Sequence, residues 1–368
     1  MSTMTEQIIE QIYEAAFVPE LWPGVLDQLC GASNCGSGAL TVFSEGSAPR
    51  FVATDLVRGA IESFTAQNGW QRSEAVPYVL KMPPATFVYE ADYYPADLLE
   101  RDVLRKGVLT PLGLGGQIGS LVTIPTGEMS LFTFERWLHN ERPSERDLAA
   151  LNWHRPHLAR ASVIAARMGL RFAETMVLAM QSIGLPAAVL NGAGRVIKAN
   201  EMLTDMPDDF IPLAHGGLAI ADSAANRLFQ EAIRPSVRND PATVRSIAVP
   251  ANDKRLPLVV HTLPLRRSAH ELFLGGDLLV AVTAVSTSAS TPSPGILSGL
   301  FDLSPAEARL AAALAHGKSL AAVAAEQNIQ TSTARSYLDQ VFRKTGTHKQ
   351  GELVALLKSV QPLRTPSA

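Results

Sequence analysis

The sequence predicts a multidomain protein in which two α+β domains precede an all-α four-helix domain. The 368 residues are enough for two or three domains, because a domain usually takes roughly 100–200 residues. Short apolar runs separated by Gly and Pro turns fill the chain up to about residue 285, and a purely helical pattern follows residue 296. Hydrophobic residues make up 46% of the chain and charged residues 18%, so each domain can bury a core.

Changes in composition set the predicted domain boundaries. Residues 286–295 read STSASTPSPG, a run of small polar residues and prolines that is typical of a linker. A weaker boundary lies near Leu170, where a predicted long helix ends. We therefore expect domains at 1–168, 171–287 and 297–362, with a linker at 288–296.

The first predicted domain combines helices with an antiparallel sheet. A helix near Thr5 to Phe17 carries apolar side chains on one face. Gly and Pro turns separate short apolar runs, which favours antiparallel strands. These runs lie at 38–43, 117–124 and 129–134.

A long helix is predicted from Ser144 to Met168. Ser144 with Asp147 three residues later is an N-capping pattern. Proline lacks the amide hydrogen that a helix interior needs, so Pro156 is expected to kink this helix or divide it in two.

The second predicted domain begins with a β-hairpin. Residues 185–200 read LPAAVLNGAGRVIKAN, in which two apolar strands flank a turn that contains Asn-Gly. Further strands are expected at 243–249, 256–265 and 278–285. A strand, a helix and then more strands form the order expected for an α+β domain.

The C-terminal segment carries clear helix-start and helix-stop signals. Ser304, Pro305 and Glu307 provide an N-cap, a proline at the first helical position and a capping-box acid. Gly317 is expected to end this helix in the left-handed conformation. Three more helices are predicted at 319–326, 331–345 and 349–358.

The predicted helix at 331–345 has one apolar and one polar face. Ala334, Leu338 and Val341 recur at helical spacing and form its buried stripe. Polar and basic residues occupy the opposite face. A short helix, a tight turn and a longer helix with a polar outer face are typical of a helix-turn-helix domain.

The C-terminal segment resembles the LuxR/FixJ-type (GerE) family of bacterial regulators over about 55 residues. The matching positions are Glu307, Gly317, Val323, Ala324, Ile329, Thr333, Val341, Lys344 and the loop from Gly346. The residues before Leu170 resemble a GAF-like or autoinducer-binding-like sensor domain, and those after it resemble a PAS-like domain. These two resemblances rest on the order of elements, without a diagnostic motif.

The family resemblance implies that the helix at 331–345 enters the DNA major groove. Arg335 stands where the family commonly places a basic residue that reads bases, and a bidentate arginine contributes about 1–3 kcal/mol of discrimination for guanine. Ser332, Ser336 and Asp339 share its side of the helix. Phosphate contacts are expected from Thr331, Thr333, Arg343, Lys344 and Lys349.

Three residues depart from the family pattern. Gln330 replaces the usual serine N-cap, so Thr331 is expected to cap the helix instead. Gln327 replaces a leucine before the turn, and Asp339 replaces a frequent basic residue. These departures affect the predicted affinity and site preference rather than the fold.

The charge of the chain is divided unevenly. The whole chain has a formal net charge of −3, with 32 Lys and Arg against 35 Asp and Glu. The residues after Gly295 carry eight basic and five acidic side chains, a net +3, which leaves −6 on the rest. This asymmetry favours an anionic partner for the C-terminal segment.

No catalytic or metal-binding motif is complete in the sequence, so we expect neither an enzyme nor a cofactor. Gly317, Lys318 and Ser319 resemble the end of a phosphate-binding loop, but its first glycine would fall at Ala312. His154 and His157 lie one helical turn apart without a third ligand cluster, so no metal is expected. The two cysteines, Cys30 and Cys35, are too few for a disulfide scaffold, and redox sensing is the less favoured alternative to idle thiols.

Aromatic and charged side chains cluster in the first predicted domain, between its candidate strands. An apolar pocket with a few polar groups suits an amphiphilic small molecule, while a surface helix packed on an aromatic core is an equal alternative. No ligand-binding residue is assigned. The cluster contains Trp70, Tyr78, Tyr89, Tyr93, Tyr94, Arg101, Asp102 and Arg105.

Together these observations predict a transcription factor with sequence-specific binding to double-stranded DNA, regulated by a small-molecule effector or another signal at its sensor domains. The family resemblance implies a homodimer paired through the last helix. No apolar run approaches the roughly 18–20 residues of a membrane span, and no export signal is seen, so we expect a cytoplasmic protein without membrane contact. The alternative is a PAS-like dimeric interaction protein whose helical tail binds a protein partner.

Overall fold

A computed structural model describes residues 2–140, 142–234, 244–252, 255–265, 272–273, 276–284 and 293–359. The chain divides into two compact units. The first comprises Met1–Leu178, Ala187–Arg245 and Thr262–Val280, and the second comprises Ala179–Pro186, Ser246–His261 and Ala281–Ala368. The predicted domains at 1–168, 171–287 and 297–362 remain predictions.

The described residues form fourteen α-helices and twelve strands. The helices are α1 (Ser2–Ala15), α2 (Trp22–Ser33), α3 (Asp55–Ala66), α4 (Ala75–Lys81), α5 (Glu90–Tyr93), α6 (Ala96–Arg101), α7 (Glu145–Ser182), α8 (Glu201–Thr204), α9 (Ser223–Ile233), α10 (Pro294–Phe301), α11 (Pro305–Ala315), α12 (Leu320–Glu326), α13 (Thr331–Thr345) and α14 (Gln350–Ser359). The strands are β1 (Ser37–Phe43), β2 (Arg50–Ala53), β3 (Val88–Tyr89), β4 (Leu114–Thr123), β5 (Met129–Trp137), β6 (Ala187–Leu190), β7 (Val196–Ala199), β8 (Phe210–Pro212), β9 (Leu218–Ile220), β10 (Arg245–Val249), β11 (Leu258–Pro264) and β12 (Leu278–Ala284).

The first sheet is antiparallel throughout, with the strand order β2-β1-β5-β4-β3. Its last strand lies between the first and the fourth, so Leu40 pairs with both Val52 and Phe132. Alternate side chains point to opposite faces of a sheet. Leu40 and Val42 belong to a core with α1, α2 and α7, while Ala39 and Phe43 belong to a second core with α3.

The second five-stranded sheet has the order β10-β11-β12-β6-β7. When the strands of each sheet are numbered one to five in chain order, both sheets have the spatial order two-one-five-four-three, the second sheet being read from β7 to β10. The predicted hairpin is confirmed as β6 and β7, which are antiparallel, with Gly194 at a φ of +78° in the turn between them. The strands expected at 256–265 and 278–285 correspond to β11 and β12 over their described residues.

Helix α7 is longer than predicted, and Pro156 does not divide it. It runs unbroken for 38 residues with Pro156 inside it, and it continues past Met168. Pro156 lies on the exposed side, and the buried stripe continues beyond it through Leu158, Ala161 and Ala165. Packing of this stripe stabilises the helix and so offsets the backbone hydrogen bond that Pro156 cannot donate. The predicted cap is confirmed, because Ser144 and Asp147 each bond the other's amide through their side chains.

The C-terminal helices number five rather than four over residues 293–359. Helix α10 begins at Pro294, and the Ser293 side chain accepts a hydrogen bond from the Ile296 amide. The end of the predicted linker is therefore helical, because its proline occupies the first helical position, where no donor is needed. The rest of the linker, 288–292, lies outside the described residues. Residues from all five helices form one core, which includes Leu297, Leu310 and Leu357.

Among the described helices none is both long and apolar enough to cross a membrane.

Candidate functional site

The start of α11 is held by reciprocal hydrogen bonds. Ser304 Oγ accepts from the Glu307 amide at 3.4 Å, and the Glu307 carboxylate accepts from the Ser304 amide at 2.8 Å. This is the predicted capping box, with Pro305 at the first helical position. Gly317 has a φ of +85° directly after the helix end, as predicted from the C-terminal glycine.

A tight turn orients α13 against α12. The Ser319 side chain caps α12, and Asn328 adopts a φ of +54° after its end. Asparagine tolerates this left-handed conformation better than most residues. The Ile329 amide then donates to the Ala324 carbonyl at 2.9 Å, and α13 starts two residues later. The arrangement of α12, the turn and α13 thus follows from local sequence signals.

Helix α13 separates its apolar and polar faces as predicted. Ala334, Leu338 and Val341 are buried in the C-terminal core. The sequence-predicted contact residues follow the other side of the helix and the loop after it. Thr331, Ser332, Arg335, Ser336, Asp339, Arg343, Lys344 and Lys349 are exposed, and Thr333 is half-buried. We refer to the exposed part of α13, Thr331, Ser332, Arg335, Ser336 and Asp339, as the outer face.

The outer-face side chains differ in how far they are engaged. Ser336 Oγ donates to the Ser332 carbonyl at 3.2 Å, and Ser332 Oγ donates to Gln330 Oε1 at 3.4 Å. Within the described part of the chain, the Arg335 guanidinium forms neither a hydrogen bond nor an ion pair. Its donors remain available to a ligand on the solvent side of α13.

Lys344 occupies a different position from the outer face. Its ammonium donates to Glu307 Oε2 and to the Asp302 carbonyl, each at 2.8 Å. This hydrogen bond holds the pKa of Glu307 below its usual range. Lys344 therefore ties the end of α13 to the start of α11, and its contact with a phosphate remains a prediction.

The beginning of α13 differs from the prediction that Thr331 caps it. Gln330 is the N-cap residue, and its side chain forms no capping hydrogen bond, while Thr331 is already helical. Threonine at the first helical position cannot reach the amides that an N-cap oxygen serves. The first amides of α13 are consequently not capped by a side chain.

A cavity lies on the α3 side of the first sheet. Polar wall groups come from three adjacent strands, as Thr41 in β1, Thr133 and Glu135 in β5, and Gln117 in β4. A smaller cavity shares Val79, Tyr94, Gln117, Leu131 and Thr133 with it, so the two are neighbours.

The aromatic and charged cluster noted in the sequence is only partly at this cavity. Trp70, Tyr94 and Asp102 line the larger cavity, and Tyr93 lines the smaller one. Arg101 is exposed and pairs with Glu74 and Asp97. The remaining members, Tyr78, Tyr89 and Arg105, do not line either cavity.

Sequence reasoning missed the wall residues Thr41, Glu90, Gln117 and Glu135. The available signal was Glu135 itself, an acid inside the apolar run LFTFERW. Its carboxylate accepts from Ser37 Oγ at 2.6 Å and from Gln117 Nε2 at 2.9 Å. Burial raises the pKa of Glu135, and it raises the pKa of Glu90 to about 7 although Arg105 pairs with that carboxyl.

The histidine and cysteine pairs do not form reactive centres in the described part of the chain. His154 Nδ1 bonds the Ala150 carbonyl at 2.8 Å, whereas His157 Nδ1 bonds the Tyr13 hydroxyl at 3.1 Å. Cys30 and Cys35 are both free thiols whose pKa is raised by burial, which disfavours the reactive thiolate.

Comparison with known proteins gives similarities in structure only. No protein-family model and no curated protein matches the chain. The LBD domain of VqsR from Pseudomonas aeruginosa is similar at 13% identity and a TM-score of 0.34, over 44% of this chain and 95% of that domain. SdiA from Escherichia coli is similar at 10% identity and a TM-score of 0.31, over 92% of this chain and 88% of its own.

A VqmA–ligand–DNA complex from Vibrio cholera is similar at 15% identity and a TM-score of 0.25, over 50% of this chain and 86% of VqmA. With TM-scores below 0.5, these similarities carry no argument about the activity of this chain.

Proposed function

We propose that this chain is a transcription factor that binds double-stranded DNA through α13 and responds to a small molecule bound in the cavity of the first sheet. The observation that carries the proposal is the outer face of α13, where an unengaged arginine stands among exposed hydroxyl side chains. Arg335 lies one turn into a helix whose opposite stripe is fixed in the core. A helix held in this way can present its side chains to base edges in the major groove.

The electrostatics of the C-terminal segment support an anionic partner. Its net charge of +3 contrasts with −6 on the rest of the chain. The first amides of α13 have no side-chain cap, and a helix N-terminus attracts phosphate oxygens. Phosphate contacts would set the register on the duplex, while Arg335 would read the sequence.

The proposed regulator acts as a homodimer. In such a dimer the second copy would place its own α13 about one helical turn of DNA away from the first. Leu353 and Leu357 of α14 are fully buried in the C-terminal core. Pairing through α14 would therefore use its other side chains.

The test measures binding of the full chain to fluorescent duplexes selected from a random library. Replacing Arg335 by alanine should weaken the selected site relative to random DNA by about 1–3 kcal/mol, or roughly five- to 150-fold. Arg309→Ala is the matched control, since Arg309 is an exposed arginine on α11 and the charge change is the same. Equal losses in both variants would show that Arg335 does not read bases.

The same experiment separates DNA binding from the alternative of a protein-binding tail. Phosphate contacts make DNA binding weaken steeply as salt rises. If no duplex is enriched and none is bound even at low salt, the tail is a protein-interaction domain and the proposal is wrong.

A further inference from the structure

Three carboxyl groups line the larger cavity and its smaller neighbour. Asp102 and Glu135 line this cavity, and Glu90 lines its smaller neighbour. No lysine or arginine lines either one in the described part of the chain. An anionic ligand would therefore meet carboxyl groups with nothing to neutralise it.

Asp102 is one of the two buried carboxyl groups that line the larger cavity. It is 7% exposed. Its oxygens accept from Ser73 Oγ at 3.0 Å and from the Arg105 amide at 2.9 Å, both neutral donors. Glu90 already pairs with the Arg105 guanidinium. A buried charge that has only neutral partners gains strongly from a cation.

A second observation points to an unfilled site independently of the acids. Thr41 lines the cavity and is only 3% exposed. Its hydroxyl has no hydrogen-bond partner among the described residues. Buried hydroxyl groups are nearly always paired, so an unpaired one that lines a cavity indicates a group supplied from outside. The Tyr94 hydroxyl, on both cavity walls, likewise has no partner within the described ranges.

The rest of the wall decides what kind of cation fits. Trp70, Val79 and Leu131 give an apolar surface beside the polar groups. No group of three or more His, Cys, Asp or Glu side chains in the described residues could hold a metal ion. An aromatic and aliphatic wall instead suits an organic cation, which also gains from contact with aromatic rings.

We propose that this cavity binds a small organic amine, whose ammonium pairs with the Asp102 carboxylate and whose apolar body lies against Trp70. The Thr41 hydroxyl is a further acceptor for the ligand's N–H groups. The biological role of the amine rests on the proposed function, since the amine would be the signal to which the regulator responds.

The test uses the full chain and ligands that share a body but differ in charge. The probes are 2-phenylethylamine, 2-phenylethanol and phenylacetate, measured by isothermal titration calorimetry and by ligand-observed NMR at up to millimolar concentration. Only the amine should bind. Asp102→Asn should weaken it roughly tenfold or more. Asp97→Asn, which changes an exposed carboxyl on α6, should leave it unchanged.

Thr41→Val is a second test variant, which is used if Asp102→Asn disturbs folding. It removes the hydroxyl at nearly constant volume and should weaken the amine without changing the melting temperature much. The proposal is overturned if the alcohol or the carboxylate binds as tightly as the amine, if no amine binds, or if Asp102→Asn folds and binds the amine like the wild type. Each of these results leaves the DNA measurement untouched, so the two proposals fail separately.

Discussion

Replacing Lys344 with alanine is expected to loosen the C-terminal helices. The Lys344 ammonium joins Glu307 at the start of α11 to the end of α13, and it also serves the Asp302 carbonyl. The Lys344 side chain is 28% exposed and that of Glu307 9%, so the pair is partly shielded from water. Hydrogen bonds to charged groups contribute about 1.5–3 kcal/mol, and solvation of the ammonium reduces this, so we expect a loss of ~1–2 kcal/mol.

Hydrogen exchange followed by mass spectrometry measures this loss in the full chain. The slowest amides of α11 and α13 should exchange roughly 5–30 times faster in Lys344→Ala. Peptides from the first sheet serve as an internal reference. Lys349→Ala is the control variant, because Lys349 is exposed and removes the same charge. If both variants exchange alike, the contact with Glu307 does not stabilise the helices and our reasoning is refuted.

Three further predictions concern substitutions of single residues. Gly317→Ala should destabilise the C-terminal helices by about 1 kcal/mol in the same exchange assay. A Cβ at this position would have no other atom within 4 Å, but the φ of +85° is strained for any residue that has a Cβ. Gly299→Ala in α10, where φ is helical and space is also open, should instead stabilise by about 0.5–1 kcal/mol, and a loss there would contradict this account. Burial lowers the pKa of His154, so the stability that its buried neutral form provides above the ordinary pKa of histidine is lost as the pH falls below that value. In His154→Leu, the melting temperature should therefore fall less steeply below about pH 6.5 than in the wild type. The fluorescence of the four tryptophans, which all precede Leu170, reports the melting temperature. An unchanged pH dependence, or the same effect from His157→Leu, would disprove this prediction.

Local signals in the sequence were enough for much of the C-terminal fold. The Ser304 capping box and Gly317 depend on neighbours within a few residues, so their structures could be predicted and are confirmed. Helix α10 was missed because Pro294 reads as a helix breaker when its position at the helix start is unknown. The length of α7 was missed because packing beyond Pro156 outweighs the local cost of the proline.

The cavity could not be assembled from the sequence in the same way. Thr41 and Glu135 lie on neighbouring strands but almost a hundred residues apart in the chain, and only the sheet order brings them together. The outer face of α13 is the opposite case, since helical periodicity alone places Ser332, Arg335 and Asp339 on one side.

The position of β5 in the middle of the first sheet has a consequence for biosynthesis. Strand β1 pairs along its whole length with β5, whose last residue is Trp137. During translation, β1 and β2 emerge early as an apolar ribbon in which the outer edge of β1 has no partner, and about eighty-five further residues must leave the ribosome before β5 pairs with that edge. Long-range strand pairing of this kind is slow, and the intermediates that form before it are prone to aggregation. Nascent chains that stall before Trp137 should therefore depend on chaperones, whereas those that have passed it can complete the sheet.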